Sequence, residues 1–332
     1  MEVGSTSPLS IQVVSDGRIG MENQALGLAE ALQRLSPSSN ISVRRVKWRK
    51  AFDRLPSALK APWMLDPSSD RVFPATGEPW PDVWIATGRA TLPLSLMARR
   101  RSGGRTFVVQ TQDPRWRTGD FDLVVAPRHD RVEGANVLSI TGSPHRVTPE
   151  RLAEGAKAFA DRLEALPRPR LAVLIGGKSR AHDLPEAHAA ELAEQIAAAI
   201  AAAGGSLMLT FSRRTPEAAK AAMTARLSRW PGWIWDGTGA NPYFAFLHHA
   251  DHVLVTEDSA NMAAEAASTG KPVHILPMVA LKAGDKFDRL HADLRAREAA
   301  RPFDGTLEGW SYEPLAETER AAREVLDRMG RR

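Results

Sequence analysis

The chain has 332 residues, 43% of them hydrophobic and 25% charged, with a formal net charge of +5 and no cysteine. Those figures describe a globular protein long enough for two domains, and they exclude a disulfide framework, a thiolate metal site and a cysteine nucleophile. No apolar run approaches the roughly 20 residues that span a bilayer. The first residues also lack the charged and apolar regions of a signal peptide, so a cytoplasmic location is expected. The pI of about 9.7 points to nucleic acid, an anionic membrane surface or a phosphorylated substrate. The basic residues are interspersed with acids and carry no nucleic-acid-binding motif, which places nucleic acid last.

In chain order, residues 1–9 read as a loose terminus. An apolar run at 11–14 is a first strand, and Ser15-Asp16-Gly17-Arg18-Ile19-Gly20 a glycine-bearing turn into a helix over 21–35. Strands follow at 41–46, 82–86, 106–110, 122–125 and 137–140, with a helix at 92–101. A long helix over 149–166 leads to the stiff linker Pro167-Arg168-Pro169-Arg170. A second alternation begins there: a strand at 171–175, the turn Gly176-Gly177-Lys178-Ser179, an alanine-rich helix over 186–203 and a strand at 207–211. Ser212-Arg213-Arg214-Thr215-Pro216 then starts a helix, 233–235 is a short strand and Asn241-Pro242 opens a helix to His249. The stretch 252–277 is a strand–loop–helix–strand unit: 252–255, a helix over 260–269 stopped by Gly270, and 273–276. A charged helix over 313–329 ends the chain. Strands alternating with helices mean parallel sheets with right-handed crossovers. The expected organisation is two tandem, doubly wound, Rossmann-like domains: residues 1–166, a linker at 167–170, residues 171–305, and a C-terminal helix within 306–332. A ligand site between two such domains is the natural expectation.

The chemistry-bearing residues fall at strand ends, where α/β sheets bind ligands and helix starts favour anions. Gly176 and Gly177 let backbone approach a phosphate, and Lys178 adds charge; Ala172 rules out a Walker A loop. Ser212, Arg213 and Arg214 end the next strand, and guanidinium forks fit phosphate. A tight turn and two solvated arginines are the bland alternatives. Asp258 or Ser259 caps the helix that carries Asn261 and Glu265. A carboxylate at Glu265 can reach a ribose diol while the helix start holds phosphates; a solvated glutamate on a plain crossover is the other reading. Asp16, with Arg18, Glu22 and Gln24, is a candidate general base or a turn cap. His129 is the best-placed histidine for acid–base work, against a structural role. His248, His249 and His252 have the wrong spacing for a metal. Residues 48–65, WRKAFDRLPSALKAPWML, suit either a membrane interface or packing on their own sheet.

Several blocks match one known family: Val109-Gln110 with Gln112-Asp113-Pro114-Arg115, the run from Phe121 to Asp130, Phe211-Ser212-Arg213-Arg214-Thr215-Pro216, Ile234-Trp235-Asp236-Gly237, Asn241-Pro242, and Val255 through Ser259 to Glu265-Ala266 and Thr269-Gly270-Lys271-Pro272-Val273. In order and over most of the chain, from about Val13 to Phe303, they resemble the mitochondrial-fission "elongated mitochondria" family, which has plant and many bacterial members. The resemblance implies a two-domain glycosyltransferase-B fold. Plant members are linked to recruiting a dynamin-related protein to mitochondria; bacterial members are often labelled nucleoside-diphosphate-sugar epimerase-like. Residues 252–277 are also similar to the donor half of glycosyltransferase-B enzymes, in which a glutamate equivalent to Glu265 holds the donor ribose and the helix start, here Ser259 and Asn261, faces the diphosphate. Glu257 departs from the small residue expected there; its charge is unfavourable beside a diphosphate unless it points away or pairs with Arg213 or Arg214. The resulting expectation is a metal-independent glycosyltransferase. Its donor would be a nucleotide diphosphate sugar, with no other cofactor, and its acceptor a membrane lipid or envelope precursor entering near Asp16 and Trp63, peripheral to the inner membrane. The rival is a non-enzymatic adaptor that uses a surface to recruit protein or membrane; an isomerase of a sugar nucleotide stands third.

Overall fold

The computed structural model describes residues 8–282 and 286–330. Most of the expected loose terminus, residues 1–7, lies outside them. The chain divides into two compact units, Met1–Arg146 with Ala316–Arg332, and Val147–Leu315.

The first unit is built on one parallel sheet. Strand β1 (Ser10–Ser15) leads through the Gly17 turn into helix α1 (Ile19–Leu35), β2 (Asn40–Arg45), β3 (Val83–Thr87), α2 (Leu92–Arg101), β4 (Phe107–Thr111), β5 (Leu123–Pro127) and β6 (Val137–Ile140). The order is β2-β1-β3-β4-β5-β6, every neighbour pair parallel. β3 and β5 are buried along their whole length, as parallel strands covered on both faces must be. On one face α1 presents Ala25, Leu28, Ala29 and Leu32 to Ile11, Val13 and Ile85, and the last helix of the chain adds Ala321, Ala322 and Val325. On the other, Leu92, Leu94 and Leu96 of α2 pack with Trp84, Val108 and Phe121. Small residues set how closely these layers approach. A Cβ at Gly27 of α1 would stand 2.3 Å from the His145 carbonyl oxygen, which is backbone and cannot swing aside. Gly27→Ala is therefore expected to cost about 1–3 kcal/mol by overpacking, read as an earlier thermal transition of the first domain. An unchanged melting curve would mean the helix shifts freely.

The second unit repeats the pattern. Helices α3 (Pro149–Lys157) and α4 (Ala160–Leu163) precede β7 (Arg170–Ile175), β8 (His182–Asp183), α5 (Glu186–Ala203), β9 (Ser206–Phe211), α6 (Glu217–Leu227), β10 (Gly232–Ile234), α7 (Tyr243–His249), β11 (His252–Thr256), α8 (Ala260–Ala267), β12 (Val273–Leu276), β13 (Val279–Ala280), α9 (Lys286–Ala296) and β14 (Arg301–Pro302). The sheet runs β10-β9-β7-β11-β12-β14, again parallel throughout, and β8 and β13 form a separate antiparallel pair. α5 and α6 cover one face through Leu192, Ile196, Ile200 and Met223. The other face is covered from α7, α8 and α9 by Phe246, Leu247, Ala263, Ala266, Leu290 and Leu294.

Three expectations about organisation are corrected. The helix expected over 149–166 is two helices, because Phe159 leaves helical geometry, and its ring packs against Trp233 at 5.3 Å between centroids. Those helices belong to the second unit, not the first. Leu152 and Leu163 join the core of Ala245 and Phe246, and Gly155 brings α3 so close to α7 that a Cβ there would meet Phe244 Cβ at 2.8 Å. The boundary therefore falls at 146/147 rather than at 167–170. The tail is not helical from 306 or 313. Tyr312 donates its hydroxyl to the Lys271 carbonyl at 2.8 Å, Pro314 lies on Gly270, and the Leu315 N–H donates to Ala267 O at 3.2 Å, so this strap stays extended on the second unit. Only Glu317–Arg328, helix α10, returns to the first unit, against α1.

Candidate functional site

In the second sheet the chain moves outward from β7 to β9 and β10, then returns to lay β11, β12 and β14 on the other side. The order reverses between β7 and β11, the switch point where open α/β sheets receive ligands. Three loops meet there: 176–179 after β7, 212–216 after β9 and 257–259 after β11. Asp258 ties them together. Its side chain is fully buried and pairs with Arg214 Nη2 at 2.8 Å. One carboxylate oxygen accepts the Gly177 N–H at 3.0 Å, and the other accepts the Thr256 hydroxyl at 2.8 Å. The Thr256 oxygen in turn accepts the Gly176 N–H at 2.7 Å. Arg214 Nη1 also reaches the Gly177 and Lys178 carbonyls, each at 3.3 Å, and the Lys178 N–H donates to Arg214 O at 3.2 Å.

This geometry changes the meaning of the two glycines. A Cβ at Gly176 would lie 1.9 Å from Asp258 Oδ1, and one at Gly177 would lie 2.2 Å from Arg214 O. Both positions are glycine because a buried carboxylate and a neighbouring backbone press on them. Their N–H groups, expected to cradle phosphate, already serve Thr256 and Asp258. The Lys178 ammonium is held by Asp183 at 3.2 Å. Ser212 accepts the Arg214 N–H at 3.2 Å, and Thr215 closes the loop by donating to Gly176 O at 2.5 Å. Arg213 is exposed and enters none of these bonds.

Beside this knot, Ser259 caps α8 by accepting the Met262 N–H at 3.4 Å, with Asn261 in the first turn. Glu265, further along α8, accepts a hydrogen bond from the Tyr243 hydroxyl of α7, both side chains half-buried. Burial pushes the Glu265 carboxyl up to about 7, the Tyr243 bond opposing, and raises the Tyr243 hydroxyl well above its usual value. Glu257 points away from the arginines. It accepts the Met278 N–H at 2.6 Å and lies 3.8 Å from His182 Nε2, so Asp258, not Glu257, answers Arg214.

In the first unit, Asp16 is held by Arg18, whose backbone N–H and Nε donate to it at 3.2 and 2.8 Å. Glu22 accepts the Ser15 hydroxyl at 2.6 Å and takes two bonds from Arg45, which draw its carboxyl below the usual range. Gln24 accepts from Gln112 at 2.8 Å. His129 sits in the turn after β5 with only 3% of its surface exposed, so its ring is enclosed rather than facing solvent. His252 does not join His248 and His249; it turns to His274 on β12, at 3.2 Å between ring nitrogens.

Two parallel six-stranded sheets of Rossmann-like order define the glycosyltransferase-B class of fold. Within that class the sequence is specific: residues 19–329 match the family described as mitochondrial fission ELM1, and the chain belongs to it. It is similar to the mitochondrial fission protein ELM1 of Arabidopsis thaliana, 32% identical over 283 residues, covering 76% of this chain and 65% of the plant protein. It is also similar to the uncharacterized protein RP120 of Rickettsia prowazekii, 25% identical over 95% of this chain and 97% of that one. Among solved structures, the UDP-GlcNAc 2-epimerase of Methanocaldococcus jannaschii, in complex with UDP-GlcNAc and UDP, superposes with a TM-score of 0.55 over 97% of this chain and 100% of that one, at 13% identity. Another structure of that epimerase gives 0.54, also at 13% identity, over 96% and 92% of the two chains. At that identity the likeness is one of fold.

Proposed function

We propose that the protein is a metal-independent glycosyltransferase whose second domain binds a nucleotide diphosphate sugar, with no further cofactor. The observation that carries the reading is Glu265: a carboxylate raised by burial, on the serine-capped helix that starts at the switch point. In this reading Glu265 takes the ribose diol. Arg213, Ser212 and the start of α8 at Ser259 and Asn261 take the diphosphate, whose departure they stabilise electrostatically. Gly176, Gly177 and Lys178 contribute by fixing the loop rather than by contact. The acceptor is a membrane lipid or envelope precursor, with the protein peripheral on the inner membrane and Asp16 the candidate base on its side. Neighbours of the same fold bind UDP-GlcNAc, which supports a nucleotide-sugar ligand.

A second reading, an adaptor that keeps the fold without turnover, is favoured by Asp258: its carboxylate already occupies the N–H and guanidinium donors that would otherwise meet phosphate. Thermal shift against UDP-, GDP-, ADP- and CMP-linked sugars separates the two. The transferase reading expects one base to raise the melting temperature, and expects Arg213→Ala to weaken that ligand about tenfold by loss of a charged hydrogen bond. No shift with any of the four overturns it in favour of the adaptor.

A further inference from the structure

The segment at residues 48–65 has no part in the site above, yet it is closed and ordered. Trp48 and Leu65 form an antiparallel bridge, and the Arg49 N–H donates to Met64 O at 3.2 Å. The Trp48 indole N–H donates to Ala90 O at 2.8 Å, which anchors the base beside the loop after β3. Lys60, 6% exposed, lies over the Trp48 ring and donates to Asp53 O at 2.8 Å. Just before the segment the Val46 N–H donates to Ser15 O at 2.9 Å, so the segment leaves from the strand end that carries Asp16. This is a compact loop with its ends pinned together and an interior of its own.

Its outer surface is the opposite of what a water-facing loop needs. Leu59 and Trp63 are each 63% exposed, and Trp63 is braced edge-on by Phe52 at 5.3 Å. In the same segment Arg49, Lys50 and Arg54 are also exposed, and the segment holds four cations against one acid, Asp53. Exposed tryptophan and leucine in one loop with exposed cations are the composition of a surface that inserts at the headgroup level of an anionic bilayer. Tryptophan and arginine also anchor protein interfaces, but the excess of four cations over one acid favours an anionic lipid surface. We propose that residues 48–65 dock the protein on an anionic lipid bilayer, presenting the Asp16 end of the first sheet to lipid-borne acceptors. The inference rests on the membrane-acceptor part of the proposed function, but its test uses no nucleotide, so either can fail without the other.

The test is co-sedimentation of the full chain with phosphatidylcholine vesicles, with and without phosphatidylglycerol. The wild type is expected to bind the anionic vesicles and not the neutral ones, with affinity falling as salt rises. The paired variant Leu59→Ser with Trp63→Ser is expected to bind at least about tenfold more weakly through lost apolar insertion. Lys50→Glu with Arg54→Glu is expected to lose about tenfold at low salt and to show a flatter salt dependence. All four side chains are solvent-facing or paired with nothing buried, so an unchanged melting temperature verifies the fold. Equal binding to both vesicles, no binding to either, or both variants binding as the wild type does would each overturn the proposal.

Discussion

Asp258→Ala is expected to destabilise the second domain by about 3 kcal/mol, the largest loss of any single side chain at this site. The carboxylate is wholly buried, and its removal leaves the Gly177 N–H, the Thr256 hydroxyl and one face of Arg214 without their acceptor. Leaving buried partners of a charge unpaired costs about 3–5 kcal/mol. The lower end applies because Arg214 is nearly half exposed and recovers water. Asp258→Asn is expected to cost less: Gly177 and Arg214 share one carboxylate oxygen, which an amide oxygen can replace, while the amide NH2 takes the place of the oxygen facing the Thr256 hydroxyl and the charge on Arg214 loses its partner. Thermal unfolding read on both variants checks this, with Glu257→Ala as the comparison. Glu257 accepts one backbone N–H at 2.6 Å at the part-exposed end of β11, so about 1 kcal/mol is expected there. Equal losses at 257 and 258 would show that the three loops are held by something other than Asp258.

The contrast between those neighbouring acids also shows what a sequence withholds. The strand over 252–256, the helix after it and the strand over 273–276 are legible because buried parallel strands are unbroken apolar runs and helix ends carry their own chemistry. Which acid meets Arg214 is not legible. Consecutive residues leaving a strand turn to opposite sides, and here Glu257 turns toward Met278, past the end of β12, and Asp258 toward β7. Pairing decides the matter, and pairing lies 44 residues away in sequence. Gly176-Gly177 misleads for the same reason. A glycine pair at a strand end reads as space for a ligand, yet the space is filled by the chain's own carboxylate. The domain boundary was hidden differently. The prolines at 167 and 169 read as a linker, but Gly155 and Leu152 commit the preceding helix to α7, a contact with no local signature. Helix α9 lies on the core through only Leu290, His291 and Leu294, too sparse a stripe to stand out.

For Glu265 the decisive quantity is pH. The folded carboxyl titrates near 7 and the unfolded one near 4.5. Between those values the unfolded chain releases its proton while the folded chain keeps it, so stability falls as pH rises from about 4.5 to about 7 and levels off above. A shift of that size corresponds to roughly 2–3 kcal/mol after allowing for the part-exposed position of the side chain. Glu265→Gln is neutral at every pH, so the variant is expected to match the wild type near pH 4.5 and to unfold at a higher temperature at pH 8. Binding should run the opposite way. A ribose diol donates to the carboxylate and favours its ionised form, so nucleotide affinity is expected to rise through pH 7 in the wild type, to weaken and lose that pH dependence in Glu265→Gln, and to vanish in Glu265→Ala. Calorimetry across this range measures both slopes on one protein. Stability that falls with pH while Glu265→Ala binds nucleotide as tightly as the wild type would leave the Tyr243–Glu265 contact as a structural pair and move the ribose elsewhere. A rise of affinity through pH 7 that the glutamine abolishes would mean that the desolvated carboxylate, costly to the free protein, is the group the donor relieves.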